Sequence, residues 1–194
     1  MFEYIRGRVE DVLLDKIIID VGGIGYRIQS TITSAANVKK GDIATVFTYL
    51  ILREDEVNLY GFATREELNM FQLLISVSKV GPKVAVSALS TYTPKKLANY
   101  ILSKDVQGIS KAPGIGKKTA ERIILELRDK VEEYAGEIDD SDLIVNTSNE
   151  YEVVDALVAL GYSYQEAEKA LYSIKDNGLT TEEMIKQALK FLTR

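Results

Sequence analysis

The chain has 194 residues, 46% of them hydrophobic and 27% charged, which is the balance of a soluble globular protein rather than of a disordered one. It contains no cysteine and no histidine, which excludes disulfides and thiolate metal sites and argues against hydrolytic or metal-dependent chemistry. No apolar run approaches the ~18 residues that a membrane helix needs, and Met1–Tyr4 does not resemble a signal peptide. We therefore expect a cytoplasmic protein without a membrane segment.

The net charge of −5 conceals an uneven distribution along the chain. Residues 65–131 hold 12 basic and 6 acidic residues, whereas residues 132–150 hold 7 acidic residues and no basic one. A basic middle on an acidic chain is typical of a segment that binds nucleic acid. The alternative is that these lysines only solvate the helices that carry them.

Residues 1–62 are predicted to form β-structure. The segments MFEYIRGRVE, KIIIDVGGIGYRIQ, IATVFTYLIL and EVNLYGF are rich in β-branched and aromatic residues, and glycines mark turns or bulges between them. About five short strands in so short a segment favour a small closed barrel, because closure removes exposed strand edges.

The pattern becomes helical at Thr64. Thr64 and Glu67 have the spacing of a capping box, in which the hydroxyl and the carboxylate each accept a hydrogen bond from a backbone N–H. Apolar residues at helical spacing follow from Leu68 onward. A further helix is predicted to start at Thr93, with proline at its first position, and to run through Ile101.

The helical middle contains an internal repeat. A shift of 35 residues places Gly81 on Gly116 and Lys83 on Lys118. Each copy has the pattern of helix, tight glycine hairpin and helix, and two copies could pack as one pseudo-symmetric unit.

The second copy, KAPGIGKKTA, resembles the end of a nucleotide-binding P-loop. A P-loop has a glycine five residues before its Gly-Lys-Ser/Thr, where this chain has Lys111. Lys118 displaces the hydroxyl that would hold magnesium, and no β segment leads into the loop. These three departures argue against an ATPase.

The glycines are better suited to binding a phosphate of a nucleic-acid backbone. They allow a tight turn that brings backbone N–H groups close to an anion, the following helix adds the positive end of its dipole, and lysines add full charges. Ile115 is expected to point inward, and such contacts position the nucleic acid without reading its sequence. A glycine C-cap followed by solvated lysines would explain one copy, but it explains two matched copies poorly. The predicted phosphate-binding residues are Lys79, Val80, Gly81, Lys83, Gly114, Ile115, Gly116, Lys117, Lys118 and Thr119.

The C-terminal part has two predicted segments. Residues 132–149 have the composition of an acidic, solvated linker. Residues 150–194 are predicted to form three short amphipathic helices, the second capped by Ser163 and Glu166 and the third by Thr180 and Glu183. A bundle this small has a thin core, and we expect it to bind a partner protein rather than to serve only a structural role. Its predicted apolar faces are Val153, Val154, Leu157 and Leu160; Ala167, Ala170, Leu171 and Ile174; and Ile185, Ala188, Leu189 and Leu192.

Four segments, taken in order, resemble the RuvA family, the DNA-binding subunits of the bacterial Holliday-junction branch-migration complex. They are VGGIGYRI (21–28), LILREDEVNLYGF (50–62), VGPK (80–83) and PGIGKKTAERIILEL (113–127). The resemblance implies an α+β multidomain fold with four parts. These are an OB-like β-barrel over 1–63, a tandem helix-hairpin-helix domain over 64–131, an acidic flexible linker over 132–149 and a three-helix, UBA-like bundle over 150–194.

The resemblance also implies a function. It implies a non-catalytic subunit, without cofactor or metal, that acts in DNA recombination and repair by binding four-way junction DNA. The expected assembly is a homotetramer, or two tetramers on the DNA, with the RuvB hexameric ATPase and the RuvC resolvase as partners. An acidic pin that repels phosphates at the crossover maps onto Glu54 and Asp55, which the residues alone would explain as a solvated turn. Docking on the ATPase is assigned to the bundle, with Leu157, Leu160, Leu171, Ile185 and Leu189 as candidates.

One position departs from the family, and two other functions are compatible with parts of the sequence. Lys79 stands where the family often has glycine, so the first hairpin has one glycine fewer than the second. A DNA glycosylase/lyase would use Lys118 as nucleophile and needs a catalytic aspartate downstream, for which Asp139 and Asp140 in the acidic linker are candidates. A general helix-hairpin-helix tether on another DNA machine is the remaining alternative.

Overall fold

The computed structural model describes residues 2–54, 56–135, 153–154, 156–162, 164–174 and 179–192. The chain divides into two compact units, with the division near residue 144. The first unit contains a β-barrel and a set of packed helices, and the second contains the C-terminal helices.

The barrel is closed by five strands in the order β1-β2-β3-β5-β4. The pairs are antiparallel except for β3 and β5, which run parallel. The prediction of a small closed OB-like barrel is therefore confirmed, while the short helix α1 between β3 and β4 was not predicted. The elements are β1 Tyr4–Leu13, β2 Lys16–Val21, β3 Ile24–Ser30, α1 Ile32–Ala36, β4 Ile43–Leu52 and β5 Val57–Phe62.

The barrel is held together by aliphatic side chains that alternate along its strands and point inward. Isoleucines from β1, β2 and β3 meet Val46 of β4 and Leu59 of β5 in one core. The β2–β3 turn contains Gly22 and Gly23 at φ values of 63° and 89°, a backbone conformation that favours glycine.

The helical part follows directly after β5. Its elements are α2 Arg65–Ser76, α3 Pro82–Thr91, α4 Pro94–Leu102, α5 Val106–Ile109, α6 Lys117–Leu127 and two 3-10 helices, Arg128–Lys130 and Glu132–Tyr134. The predicted start at Thr93 is confirmed, since the Thr93 hydroxyl accepts a hydrogen bond from the Lys96 N–H at 3.2 Å. Tyr134 is packed against the helical core.

Aromatic side chains join the barrel to the helices. The ring of Phe71 on α2 lies 4.9 Å from that of Phe62, 5.2 Å from that of Tyr60 and 5.9 Å from that of Tyr49, measured between centroids. Since Tyr49, Tyr60 and Phe62 belong to β4 and β5, the core of the helical part extends onto the barrel wall.

The capping box predicted at the start of α2 forms only in part. The Thr64 hydroxyl accepts from the Glu67 N–H at 3.1 Å, as expected. The Glu67 carboxylate accepts instead from the hydroxyls of Thr31, at 3.0 Å, and Ser34, at 2.7 Å. The hydroxyls of Thr31 and Ser34, which tertiary packing brings next to α2, therefore take the place of the backbone N–H that would donate to Glu67 in a local capping box.

In the second unit, residues 153–154 and 156–159 are helical, and the helices Tyr164–Tyr172 and Thr181–Leu192 follow. The capping box predicted at Thr180 closes in both directions, with the Thr180 N–H donating to the Glu183 carboxylate at 2.9 Å. Leu160 is 60% exposed instead of facing the core, because it lies in the turn after the first helix. Ser163, predicted as a cap, lies outside the described residues. Among the described residues of this unit, the buried apolar ones are Val153, Val154, Leu157, Ala167, Ala170, Leu171, Met184 and Ala188.

Candidate nucleic-acid interface

The two hairpins predicted from the repeat have the same backbone conformation. Gly81 caps α3 with φ and ψ of −85° and 167°, and Gly116 caps α6 with −83° and 168°. Two residues earlier, Lys79 and Gly114 both adopt positive φ, at 71° and 82°. The first hairpin therefore makes the same turn as the second although it has a lysine at the position of a glycine.

Each hairpin is anchored by one inward-pointing aliphatic residue. Val80 and Ile115 are 5% and 4% exposed, as predicted for Ile115. Their backbone N–H groups close the two turns with equivalent bonds, from Val80 to the Val77 carbonyl at 3.0 Å and from Ile115 to the Ala112 carbonyl at 3.1 Å. The repeat is thus preserved in packing as well as in sequence.

The hairpins lie side by side, and the hydrogen bonds between them are reciprocal, as an approximate two-fold relation of the two motifs requires. The Ser87 hydroxyl on α3 donates to the Pro113 carbonyl at 2.9 Å, and the Arg122 guanidinium on α6 donates to the Ser78 carbonyl at 3.2 Å. Ser87 and Arg122 are equivalent positions of the repeat, 35 residues apart, and so are Ser78 and Pro113. Each motif's second helix therefore holds the other motif's hairpin.

Both hairpins present positive charge to solvent. Lys79, Lys83, Lys117 and Lys118 are all exposed, and within the described part of the chain none of them forms an ion pair with a carboxylate. The first backbone N–H groups of α3 and α6 add to this field, since the start of a helix has donors without intrahelical acceptors. The N–H groups of Thr119 and Ala120 are both bonded to the Gly116 carbonyl at 2.9 Å, so the donors that α6 can offer to an anion are those of Lys117 and Lys118.

The acidic turn between β4 and β5 lies close to the first hairpin. The turn is closed by a hydrogen bond from the Arg53 N–H to the Glu56 carbonyl at 2.8 Å, and Glu54 is exposed on it. Asp55 lies outside the residues that the structure describes. A cleft of about 280 Å³ separates the turn from the hairpin and is lined by Ile51, Arg53, Glu56, Asn58, Tyr60, Gly81, Pro82, Lys83 and Val84.

The proximity of acidic turn and first hairpin could not be read from the sequence. Burial raises the pKa of the Tyr60 phenol above its usual range, and the nearby carboxylate of Glu56 raises it further. Tyr60 therefore faces the cleft as a neutral group at physiological pH. The acidic turn and the basic hairpin therefore form opposite walls of one cleft.

Comparison with known proteins identifies the family. The chain matches the model of the RuvA N terminal domain over residues 1–61, a SAM-like helix-hairpin-helix tandem over 71–129 and the RuvA C-terminal domain over 148–193. It is 58% identical over 194 residues to the Holliday junction branch migration complex subunit RuvA of Alkaliphilus oremlandii, with 100% of both chains covered. The chain belongs to the RuvA family.

Other RuvA-family proteins give the same result. The protein of that name from Alkaliphilus metalliredigens is 55% identical over 194 residues, and the one from Acetivibrio thermocellus is 46% identical over 205 residues. All of this chain and all of each relative are covered in both comparisons. The resemblance inferred from the glycine hairpins is therefore confirmed over the full sequence.

The candidate docking residues of the RuvA C-terminal domain differ in accessibility. Leu157 and Leu171 are buried in the core of their unit, Ile185 and Leu189 are half-buried, and only Leu160 is largely exposed. Docking through Leu157 or Leu171 would require that core to open.

Two features are absent from the part of the chain that the structure describes. No helix there is both long and apolar enough to cross a membrane. Nor do its acidic side chains gather into a group of three that could hold a metal ion.

Proposed function

We propose that this chain binds four-way DNA junctions independently of sequence and holds them open for branch migration. Its relatives are named as subunits of a Holliday junction branch migration complex. The observation that carries the proposal is the pair of matched hairpins, each with a glycine-capped helix start and exposed lysines, on the basic part of an acidic chain.

The two-fold relation of the hairpins fits the symmetry of duplex DNA. The two strands of a duplex are related by local dyads, so two hairpins that are themselves related by a two-fold rotation can bind one phosphate on each strand in the same way. Lys83 and Lys118 supply equivalent charges, with Lys79 and Lys117 beside them. Contacts of this kind fix the position of a duplex arm but carry no sequence information.

The acidic turn supplies the preference for a junction. Carboxylates beside a continuous duplex face phosphates of the same charge, which is unfavourable. At a crossover the strands diverge, so Glu54 and Asp55 can enter between them and repel the phosphates outward. Because the turn shares a cleft with Lys83, the attractive and repulsive charges act on the same stretch of DNA.

The assembly that follows from family membership is a homotetramer, or two tetramers enclosing the DNA, in the cytoplasm. We infer that each subunit contributes its barrel and hairpins, over residues 1–63 and 64–131, to one DNA-binding face. Beyond Tyr134, which is packed against the helical core, the rest of the segment 132–149 tethers the bundle 150–194. The bundle docks on the RuvB ATPase, with Leu160 as the most accessible of its candidate contacts. RuvB hydrolyses the ATP, RuvC resolves the junction, and this subunit itself catalyses no reaction.

Competition binding tests the proposal. A labelled four-way junction bound to the full chain is challenged with unlabelled junction or with linear duplex of the same sequence and total length. We expect the junction to compete far better than the duplex, and we expect Glu54→Gln with Asp55→Asn to narrow the difference by raising duplex affinity. Equal competition by both DNAs would leave only a general DNA tether.

A further inference from the structure

The buried polar side chains of the described residues are concentrated at one place. They are Ser30, Thr31, Ser34, Thr48, Glu67 and Ser90, and all but Thr48 lie where the barrel meets the helical part. Burying a polar group is costly unless it is hydrogen-bonded, so a cluster of them at one boundary needs an explanation other than core packing.

The cluster is organised around the start of α1. Glu67 on α2 is only 7% exposed, and its two carboxylate oxygens accept hydrogen bonds from Thr31, at 3.0 Å, and Ser34, at 2.7 Å. The Ser34 hydroxyl in turn accepts from the Ala63 N–H at 2.7 Å, in the short connection from β5 to α2. Thr31 also caps α1 by accepting from the Ser34 N–H at 3.0 Å.

A separate bond reaches the second helix of the first hairpin motif. The Ile32 N–H on α1 donates to the Ser90 hydroxyl on α3 at 3.2 Å. Since α2 and α3 flank the first hairpin, α1 is bonded to both helices of that motif. These hydrogen bonds attach the barrel to both helices of the motif that carries the first hairpin, in addition to the covalent connection.

Hydrogen bonds and apolar contacts differ in what they can fix. The aromatic contacts of Phe71 with the barrel wall stabilise the boundary, but apolar burial is non-directional and tolerates small rotations of one surface over the other. Hydrogen bonds weaken steeply with misalignment, so the network around Glu67 selects one orientation. That orientation sets where the acidic turn, carried by the barrel, stands relative to the hairpins.

We propose that Glu67 is a positioning residue that fixes the acidic turn against the phosphate-binding hairpins and so determines the preference for four-way junctions over duplex. The inference rests on the proposed function, in which hairpins alone bind any duplex and the acidic turn discriminates. Loss of the carboxylate frees the Thr31 and Ser34 hydroxyls and loosens α1 from α2. The hairpins themselves stay intact, because their closing bonds involve neither residue.

The test compares Glu67→Ala and Glu67→Gln with Ile19→Val in the full chain. Ile19 is a fully buried barrel residue that belongs to no part of the proposed site, so its substitution controls for general destabilisation. Affinity for a four-way junction and for linear duplex is measured at one salt concentration for each folded variant. We expect the junction-to-duplex preference of Glu67→Ala to fall about tenfold or more, with duplex affinity within about twofold of the unmodified protein. Glu67→Gln, which keeps an acceptor oxygen, should recover part of the preference, and Ile19→Val should keep all of it.

A second measurement is independent of DNA. The chain has no cysteine, so spin labels can be placed at Thr45→Cys on the barrel and Ser103→Cys after α4, with labelled chains diluted in unlabelled ones. We expect the distance distribution between the labels to broaden in Glu67→Ala and to stay narrow in Ile19→Val. If Glu67→Ala does not fold, Ser34→Ala, which removes one of the two donors to the Glu67 carboxylate, replaces it in both measurements with the same expectations.

The outcomes separate the inference from the proposed function. An unmodified protein without junction preference overturns both. A preference that survives in Glu67→Ala, or a label distance that stays as narrow as in Ile19→Val, overturns the positioning role and leaves junction binding standing.

Discussion

Lys79 is the position where the first hairpin departs from its twin, and its replacement by glycine makes a quantitative prediction. Lys79 has a φ of 71°, in the left-handed region that costs an L-residue about 1–2 kcal/mol. Gly114 holds the equivalent position at 82° without that cost. The substitution Lys79→Gly should therefore relieve strain at a turn whose shape is already that of a glycine turn.

The expected gain is smaller than the strain itself. Glycine has more conformational freedom in the unfolded chain, which offsets about 0.4–1 kcal/mol of the relief. A net stabilisation of about 0.5–1 kcal/mol remains, which raises the melting temperature of a chain of this size by about 1–4 °C. The reverse change, Gly114→Ala, should cost about 1 kcal/mol from backbone strain alone, since a Cβ there would meet Val84 Cγ2 at an ordinary contact distance of 3.5 Å.

Lys104 provides a matched control for the loss of charge. It is the other described lysine with positive φ, at 58°, and it lies after α4 rather than in a hairpin. Thermal unfolding followed by circular dichroism should show Lys79→Gly and Lys104→Gly stabilised to a similar extent. Junction affinity is also measured as a function of salt concentration. The slope of log affinity against log salt should become shallower only for Lys79→Gly, by about 0.9 for each phosphate that is no longer neutralised. A lower melting temperature for Lys79→Gly, or the same salt dependence for both variants, would refute the reasoning.

Three further predictions concern the lysines of the two hairpins, the C-terminal bundle and the buried Tyr92. Lys83→Ala combined with Lys118→Ala should weaken junction binding equally for all sequences, with a log–log salt slope shallower by about 0.9 for each phosphate left without its lysine, and an unchanged slope would exclude these lysines as phosphate ligands. Removal of residues 150–194 should leave junction binding intact and abolish ATPase-driven branch migration in a reconstituted assay, so migration by the truncated protein would remove the docking role. Burial, followed by the nearby Tyr100 and Asp105, raises the pKa of Tyr92 from 10.0 to about 12, so its contribution to folding is fully present below pH 10 and is lost as the pH rises towards 12. Tyr92→Phe removes the 2.7 Å hydrogen bond to the Gly108 carbonyl, so it should lower the free energy of unfolding by about 1–2 kcal/mol at neutral pH and reduce its loss at alkaline pH. Denaturant unfolding measured across pH tests this, and the absence of both changes would contradict it.

The hairpins could be predicted from the sequence because everything they need is local. Gly81 and Gly116 end tight turns, Val80 and Ile115 point inward, and the shift of 35 residues makes one copy evidence for the other. The two-fold relation was suggested by the repeat. Its hydrogen bonds cross between the copies, however, and no local pattern predicts which residues form them.

The two capping patterns show where local reasoning fails. Thr180 and Glu183 form a closed box on an exposed helix, and these hydrogen bonds lower the pKa of Glu183. Thr64 and Glu67 have the same spacing, but Glu67 is buried and bonds to Thr31, 36 residues earlier. The difference lies in the short helix α1, which no periodicity in the sequence indicated. A carboxylate at this spacing can either cap its own helix or bond to a distant segment, and tertiary packing decides which of the two it does.

Native mass spectrometry of the full chain, alone and with a synthetic four-way junction, tests most directly whether the proposed tetramer forms and binds the junction. We expect assemblies of four chains in the absence of DNA, and one junction bound by one or two such assemblies when it is added. An excess of linear duplex should not displace the junction. A single chain that binds junction and duplex alike would contradict the proposed function.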